Sequence, residues 1–337
     1  MQTVIPEGYK SLLSIYDTQK AISLLKRLFE DRLGALLNLH RVSAPLFVDE
    51  CSGLNDNLNG HERPVSFDIL RSEHRAEVVQ SLAKWKRLAL KRYGFYPGKG
   101  IYTDMNAIRR DEDELDNIHS VYVDQWDWEK VILPENRNVD YLKLTVMDIV
   151  TAICDTQDTM QAIYPQLQCL GKLQRRVSFV TSQELEDLYP ELSGKQREYA
   201  YVKEHKTAFI IGIGDKLRSG KPHDGRAPDY DDWSLNGDIM FYNELLDCAF
   251  EISSMGIRVD PVSLDRQLRL SGCDERRELP YHKSLLAGEL PLTIGGGIGQ
   301  SRLSMLLLGK IHIGEVQASI WDKKTMKLCE DAGIILL

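Results

Sequence analysis

No Cys-x-x-Cys pair occurs in the 337 residues, and none of the six cysteines stands at zinc-ligand spacing from a histidine. A zinc finger or ribbon is thereby excluded, and the reduced thiols of a cytoplasmic protein are the expectation. Runs of 18 apolar residues are missing too, so no membrane span is expected. The first residues, Met1-Gln2-Thr3-Val4-Ile5-Pro6-Glu7, lack the basic stretch and apolar run of a signal peptide. Basic charge is in deficit: 42 Lys and Arg face 50 Asp and Glu, a net charge of −8. That balance argues against a protein that wraps nucleic acid. Two nucleotide motifs are absent as well. No Gly-Lys-Ser/Thr follows the one long glycine run, and no βαβ unit surrounds it.

What is present is a soluble, core-forming chain. With 43% hydrophobic residues, a polypeptide of this length buries a large core without disulfides or metal staples. A helix capped by Asp17 or Thr18 is predicted from the apolar face Ile22, Leu25, Leu28, Phe29, Leu33 and Leu36. A basic helix at 81–93 would bury Leu82, Trp85, Leu88 and Ala89, and further helices are predicted at 139–164, 182–189, 193–205, 261–271 and 299–309. Strand patterns fall at 37–42, 65–69, 76–79, 101–105, 121–128, 207–212, 238–243 and 250–259. An Asn/Gly-rich loop at 52–60 and a long polar loop at 215–237 separate them. Many strands are hairpin-spaced, which favours an α+β fold: a mostly antiparallel sheet flanked by helices, one domain over 1–337.

Four groups of residues carry chemistry. Thr293-Ile294-Gly295-Gly296-Gly297-Ile298-Gly299-Gln300-Ser301-Arg302 joins a strand to an apolar helix. Its glycines let backbone approach a ligand and Arg302 can meet a phosphate or a base, although a bare structural turn also fits. Arg109, in Ile108-Arg109-Arg110-Asp111, is a second phosphate candidate, or one charge of a solvated turn. Asp238 and Glu251 are carboxylates on otherwise apolar strands, which is costly unless they are paired or bind a cation such as Mg²⁺. The alternative is an ion pair between Glu251 and Arg258. Gln125 and Asp127, two apart on a strand, face one side and can hold the ammonium of an amino acid, with Trp126 and Trp128 turned to the core.

Taken together, these blocks resemble the catalytic core of class II aminoacyl-tRNA synthetases, and more closely the ammonia-dependent asparagine synthetases. The resemblance runs through Leu54-Asn55-Asp56-Asn57-Leu58, Ser81-Leu82-Ala83-Lys84-Trp85-Lys86, the stretch from His119 to Glu129, Arg226-Ala227-Pro228-Asp229-Tyr230-Asp231-Asp232-Trp233, Ser253-Ser254-Met255-Gly256-Ile257-Arg258 and Gly295 to Arg302, in order along nearly the whole chain. One departure is Gln80, where members of the family often carry His.

The resemblance implies an eight-stranded sheet and a homodimer joined through the first helix and the strand leading to Pro45. It implies aspartate, ATP and ammonia as substrates, with Mg²⁺ and a β-aspartyl-adenylate intermediate. Arg109 and Arg302 would hold the phosphates and base, and Asp238 and Glu251 the metal. Lys86 and the backbone near Ser81 would take the α-carboxylate of aspartate, and Asp127 and Gln125 its ammonium, with Ser254 and Arg258 also binding substrate. Asp56 would attract ammonium and take its proton, and Asp231, in the long polar loop, would line the nucleotide or ammonia entrance. Glutamine-dependent synthetases use an N-terminal cysteine, and a chain starting Met1-Gln2 points to free ammonia instead. Two rivals share the adenylate step or the fold: a tRNA-charging enzyme, which needs an anticodon-reading domain, and a non-catalytic sensor. No tRNA partner is expected, since the blocks leave no room for such a domain. A sensor has no need to keep four costly charges at 109, 238, 251 and 302.

Overall fold

The computed structural model describes residues 3–56, 58, 62–112 and 115–337. In chain order, α1 (Ile15–Leu37) leads into β1 (Leu39–Arg41), then β2 (Phe47–Asp49), β3 (Ser66–Phe67) and β4 (Ala76–Val78). Next come α2 (Ala83–Arg92), β5 (Gly100–Ile108), β6 (Tyr122–Val131), α3 (Val139–Ile163), β7 (Ser178–Thr181), α4 (Ser182–Leu188), α5 (Gly194–His205) and β8 (Thr207–Ile211). The chain finishes with β9 (Asp231–Asn243), β10 (Cys248–Arg258), α6 (Pro261–Ser271), α7 (Pro280–Leu286), β11 (Thr293–Gly299), α8 (Gln300–Leu307) and α9 (Lys323–Asp331).

Eight strands form one sheet in the order β1-β5-β6-β11-β10-β9-β8-β7, and β2, β4 and β3 form a small second sheet. Only the edge pairs β1/β5 and β7/β8 are parallel. The expected mostly antiparallel, eight-stranded α+β architecture is therefore the one observed. One face of the sheet carries the core. Trp126 and Trp128 are fully buried there, as their alternation with Gln125 and Asp127 predicts, and Phe29 of α1 packs on Trp126 at 4.6 Å between ring centres. Burying each such side chain contributes about 2–3 kcal/mol. Helices α1 and α3 cover this face through Leu25, Leu33, Val146, Ile149 and Ile153. Among the described residues no helix is long and apolar enough to cross a membrane.

Three local readings change. Ser14, not Asp17 or Thr18, caps α1, accepting from the backbone of Asp17. The 65–69 strand shrinks to two residues. The 215–237 loop ends early because β9 already begins at Asp231, where polar residues find partners inside the sheet: Asn236 donates to the carbonyl of Ile213 and accepts from its amide.

Helix α2 is the largest surprise. Leu82 and Ala89 are buried as expected, but Trp85 and Leu88 are only half-buried, while Lys84, Lys86 and Arg87 are turned inward. Buried cations are tolerated only when paired, and each finds oxygen: Lys84 reaches Asp229 at 3.3 Å, Lys86 pairs with Asp127, and Arg87 donates to the carbonyls of Val259 and Pro291 at 2.6 and 2.9 Å.

Candidate active site

On the face opposite the tryptophans lies a cavity of about 560 Å³, within the usual range for small-molecule sites. Strand register sets its chemistry. Asp127 on β6 lies opposite Gly297 on β11, Gly297 opposite Ser254 on β10, and Ser254 opposite Asp238 on β9. A carboxylate thus stands at each end of one row across the sheet. The next row runs Glu129, Gly295, Gly256, Asn236.

The glycines of β11 make room for their neighbours. A Cβ on Gly295 would stand 2.0 Å from Glu129 Oε2 and 2.7 Å from Arg258 Nη2, and one on Gly297 only 2.3 Å from Gln125 Oε1. Side chains of flanking strands therefore lie flat across a bare strand. Gly295→Ala is expected to lower the free energy of unfolding by about 1–3 kcal/mol, since buried charged groups must shift. Urea titration checks this, and a loss under about 0.5 kcal/mol would mean that the Glu129–Arg258 pair moves aside freely.

At the β6 end sits a buried charge cluster. Arg258 bonds Glu129 through Nη2 at 2.8 Å and also pairs with Asp231, while Thr293 donates to Glu129 Oε1 at 2.7 Å. Burial opposes the charge of Glu129, yet Arg258 and Lys86 outweigh it and hold its pKa below the ordinary value. Burial, with Arg258 adding, pulls the Lys86 ammonium down to about 7.

At the β9 end, Arg226 from the preceding loop bonds Ser254 Oγ and reaches Asp238 Oδ1 at 2.6 Å. Arg302 donates to the Glu251 carbonyl at 3.1 Å, and its Nη1 lies 4.0 Å from Glu251 Oε1. Burial pushes the Asp238 carboxyl up to about 6, against the pull of Arg226 and with the push of Glu251. Burial also opposes the charge of Glu251, but Arg302 and Lys195 prevail and keep its pKa low. Two mutually repelling carboxylates are hard oxygen donors of the kind Mg²⁺ takes. Among the described residues no third His, Cys, Asp or Glu forms a three-ligand cluster with them, so such an ion needs further oxygens from its ligand.

A third corner holds Asp56, 1% exposed, its Oδ1 accepting from the amide of Leu58 at 3.1 Å. Beside it Asp229 binds Lys84, Arg276 at 3.0 Å and His282 at 2.9 Å.

A family model described as aspartate–ammonia ligase matches residues 16–333. The chain belongs to the aspartate–ammonia ligase family. A protein of Clostridium perfringens (strain ATCC 13124) named aspartate–ammonia ligase is 60% identical over 334 residues, 99% of this chain and 98% of its own. One of Lactobacillus acidophilus with the same name is 58% identical, over 100% of both chains. Among solved structures, asparaginyl-tRNA synthetase from Pyrococcus horikoshii complexed with asparaginyl-adenylate aligns with a TM-score of 0.65 at 15% identity, covering 91% of this chain and 70% of that one. Aspartyl-tRNA synthetase from Entamoeba histolytica gives 0.62 at 17%, covering 91% and 58%. At such identities the likeness shows the fold alone, a class II synthetase core. Both the family and the fold implied by the sequence blocks are thus the ones found.

For this member of the aspartate–ammonia ligase family, the cavity wall includes Asp56, Ser81, Arg109, Gln125, Asp127, Asp231, Asp238, Glu251, Ser254, Arg258 and Arg302, eleven of the twelve residues expected from sequence. Lys86 is the exception. It lies behind the wall, fully buried, its ammonium held by Asp127 and by the carbonyls of Trp128 and Gly296 at 3.0 and 3.2 Å. Its ammonium is thus turned to Asp127 and away from the cavity, where a substrate carboxylate would lie. Asp231 is not in a loop: it is the first residue of β9, 1% exposed and paired with Arg258. Glu251 does not pair with Arg258, which is taken by Glu129 and Asp231. Arg226 is the residue the sequence reading missed. Its only signal was membership of the 226–233 block.

Proposed function

We propose that this chain makes asparagine, joining the β-carboxylate of aspartate to the α-phosphorus of ATP and then letting free ammonia displace AMP. One observation carries the reading: a single cavity has a carboxylate and an amide, Asp127 and Gln125, at one end, and Arg302 beside two crowded carboxylates at the other. The first end suits an amino acid's ammonium and the second a polyphosphate.

In the first step Asp127 and Gln125 hold the ammonium of aspartate, and Arg258 with Ser81 and Ser254 receives its α-carboxylate. The β-carboxylate is thereby directed along the row toward Asp238. Arg109 and Arg302 neutralise the phosphates, so that one anion can attack another. When bound at Asp238 and Glu251, Mg²⁺ would screen the departing pyrophosphate. In the second step Asp56 takes a proton from ammonium. Asp231, on the cavity wall, keeps Arg258 in place. The protein would work as a homodimer through α1 and the exposed edge of β1, and light scattering in solution gives the mass that tests this.

Incubation with aspartate, MgATP and ammonium should yield asparagine and AMP. ADP, or intact ATP, would sink the reading. Transfer of radiolabelled aspartate to tRNA would favour the charging enzyme instead. Arg109→Ala and Glu251→Ala should each cut aspartate-dependent pyrophosphate–ATP exchange about 10²- to 10³-fold, the usual cost of one lost charge-stabilising group. Exchange within threefold of the parent would remove either residue from the phosphate site.

A further inference from the structure

Two acceptor oxygens at the Asp56 corner are buried with no hydrogen-bond partner among the described residues: Asp56 Oδ2 and Gln80 Oε1. Each residue is 1% exposed, and both line the cavity. The pair is held firmly. Asn55 Oδ1 accepts from the backbone amides of both, at 3.0 Å from Asp56 and 2.9 Å from Gln80. The Gln80 amide nitrogen donates to the carbonyls of Asp56 and Glu62, at 2.9 and 3.4 Å. Its two protons are thus spent on the main chain, and the carbonyl is left as the free end.

A buried acceptor without a donor costs free energy, and native structures keep few of them. A ligand bringing only donors removes that cost. Ammonium is such a ligand, with four N–H groups and no lone pair; a water could donate to both oxygens, but its own lone pairs would then lack a donor from either of them.

We propose that the side-chain carbonyl of Gln80 and Asp56 Oδ2 form the ammonium subsite of the second half-reaction. This deepens the ligase reading above and rests on it. Ammonium bound between them passes one proton to the Asp56 carboxylate. The nitrogen lone pair then attacks the β-acyl carbon of the adenylate, the C–N bond forms, and the C–O bond to AMP breaks with its electron pair leaving on AMP. A second proton leaves the nitrogen for solvent to give the amide. Gln80 suits this sequence because it is neutral. A second carboxylate would hold ammonium harder but would resist loss of its proton.

Kinetics in aspartate, MgATP and ammonium chloride test the subsite. Gln80→Met keeps the length and loses the acceptor. It should raise the KM for ammonium about 10- to 100-fold, the range for one hydrogen bond to a charged group, with kcat within about threefold and pyrophosphate–ATP exchange within about twofold. An unchanged KM for ammonium, or equal rises in the KM for ammonium and for aspartate, would overturn the proposal.

Should that variant not fold, Gln80→His carries the test. A neutral imidazole accepts and a protonated one does not. The variant-to-parent ratio of KM for ammonium should therefore climb between about pH 8.5 and pH 6, through the ordinary histidine range. The charged and titratable groups facing the site are Asp56 itself, Lys84 from α2, Asp229 and Tyr230 before β9, and Arg276 after α6, and both proteins share them. A flat ratio would overturn the proposal. Loss of exchange in the unmodified protein would instead bring down the ligase reading beneath it.

Discussion

Asp56→Asn is expected to part the two half-reactions: asparagine formation falls about 10²- to 10⁴-fold, the range for a lost general base, while pyrophosphate–ATP exchange stays within a few-fold. The same substitution should make the protein more stable. Burial pushes the Asp56 carboxyl up to about 6, with Lys84 pulling it back and Asp229 adding to the push. The folded state therefore binds more protons than the unfolded one between the ordinary Asp value of 3.8 and about 6. Stability from this group is present below 3.8 and is lost as pH rises through about 6. At neutral pH the ionised Asp56 costs about 2–3 kcal/mol, and a carboxamide cannot ionise. Thermal unfolding at pH 7.5 should show a higher midpoint for the variant, with the difference shrinking toward pH 4. The parent enzyme should lose the ammonia step, relative to exchange, below about pH 6. Equal loss of both activities in the variant would remove Asp56 from the ammonia step.

The second large effect belongs to Arg258. It joins Glu129 and Asp231, which are 0% and 1% exposed, so Arg258→Met strands two carboxylates in the interior. Breaking a buried ion pair from one side costs about 3–5 kcal/mol. The cost should depend on pH in a defined sense. Without Arg258, burial is the largest influence on Glu129 and raises its pKa above the unfolded value. The folded variant then holds a proton that the unfolded chain releases, and its stability falls as pH rises from about 5 to 8. Adding Glu129→Gln should recover part of the loss. Urea unfolding of the parent and both variants at the two pH values measures this. A loss below about 1 kcal/mol would mean that Lys86 and Thr293 suffice for Glu129.

Much of this site could be read from the residues, and the limits have physical causes. Alternation along β6 placed Gln125 and Asp127 against Trp126 and Trp128 correctly, because a strand's period of two has a single solution when two tryptophans must be buried. Three misreadings share one origin, the assumption that charge means exposure. Lys86 was expected to greet a substrate and instead braces Asp127. Asp231 was read into a loop and instead opens a strand, where Arg258 makes its burial tolerable. Lys84 and Arg87 of α2 point inward, on a helix whose expected buried side is Leu82, Trp85, Leu88 and Ala89 alone. Each depends on a partner more than 25 residues away, and no local window contains that partner. Arg226 escaped notice because its partners lie on two strands that only the folded sheet brings together, Asp238 on β9 and Ser254 on β10.

The row from Asp127 to Asp238 spans three strand-to-strand steps, about 14 Å at the usual spacing of a hydrogen-bonded sheet. That separation is not held by any flexible side chain. It is a ruler graduated in backbone hydrogen bonds, and it dictates how far apart the two ends of a bound molecule can be gripped. Changing a side chain at either end alters what is gripped there, but the spacing between the grips stays with the main chain.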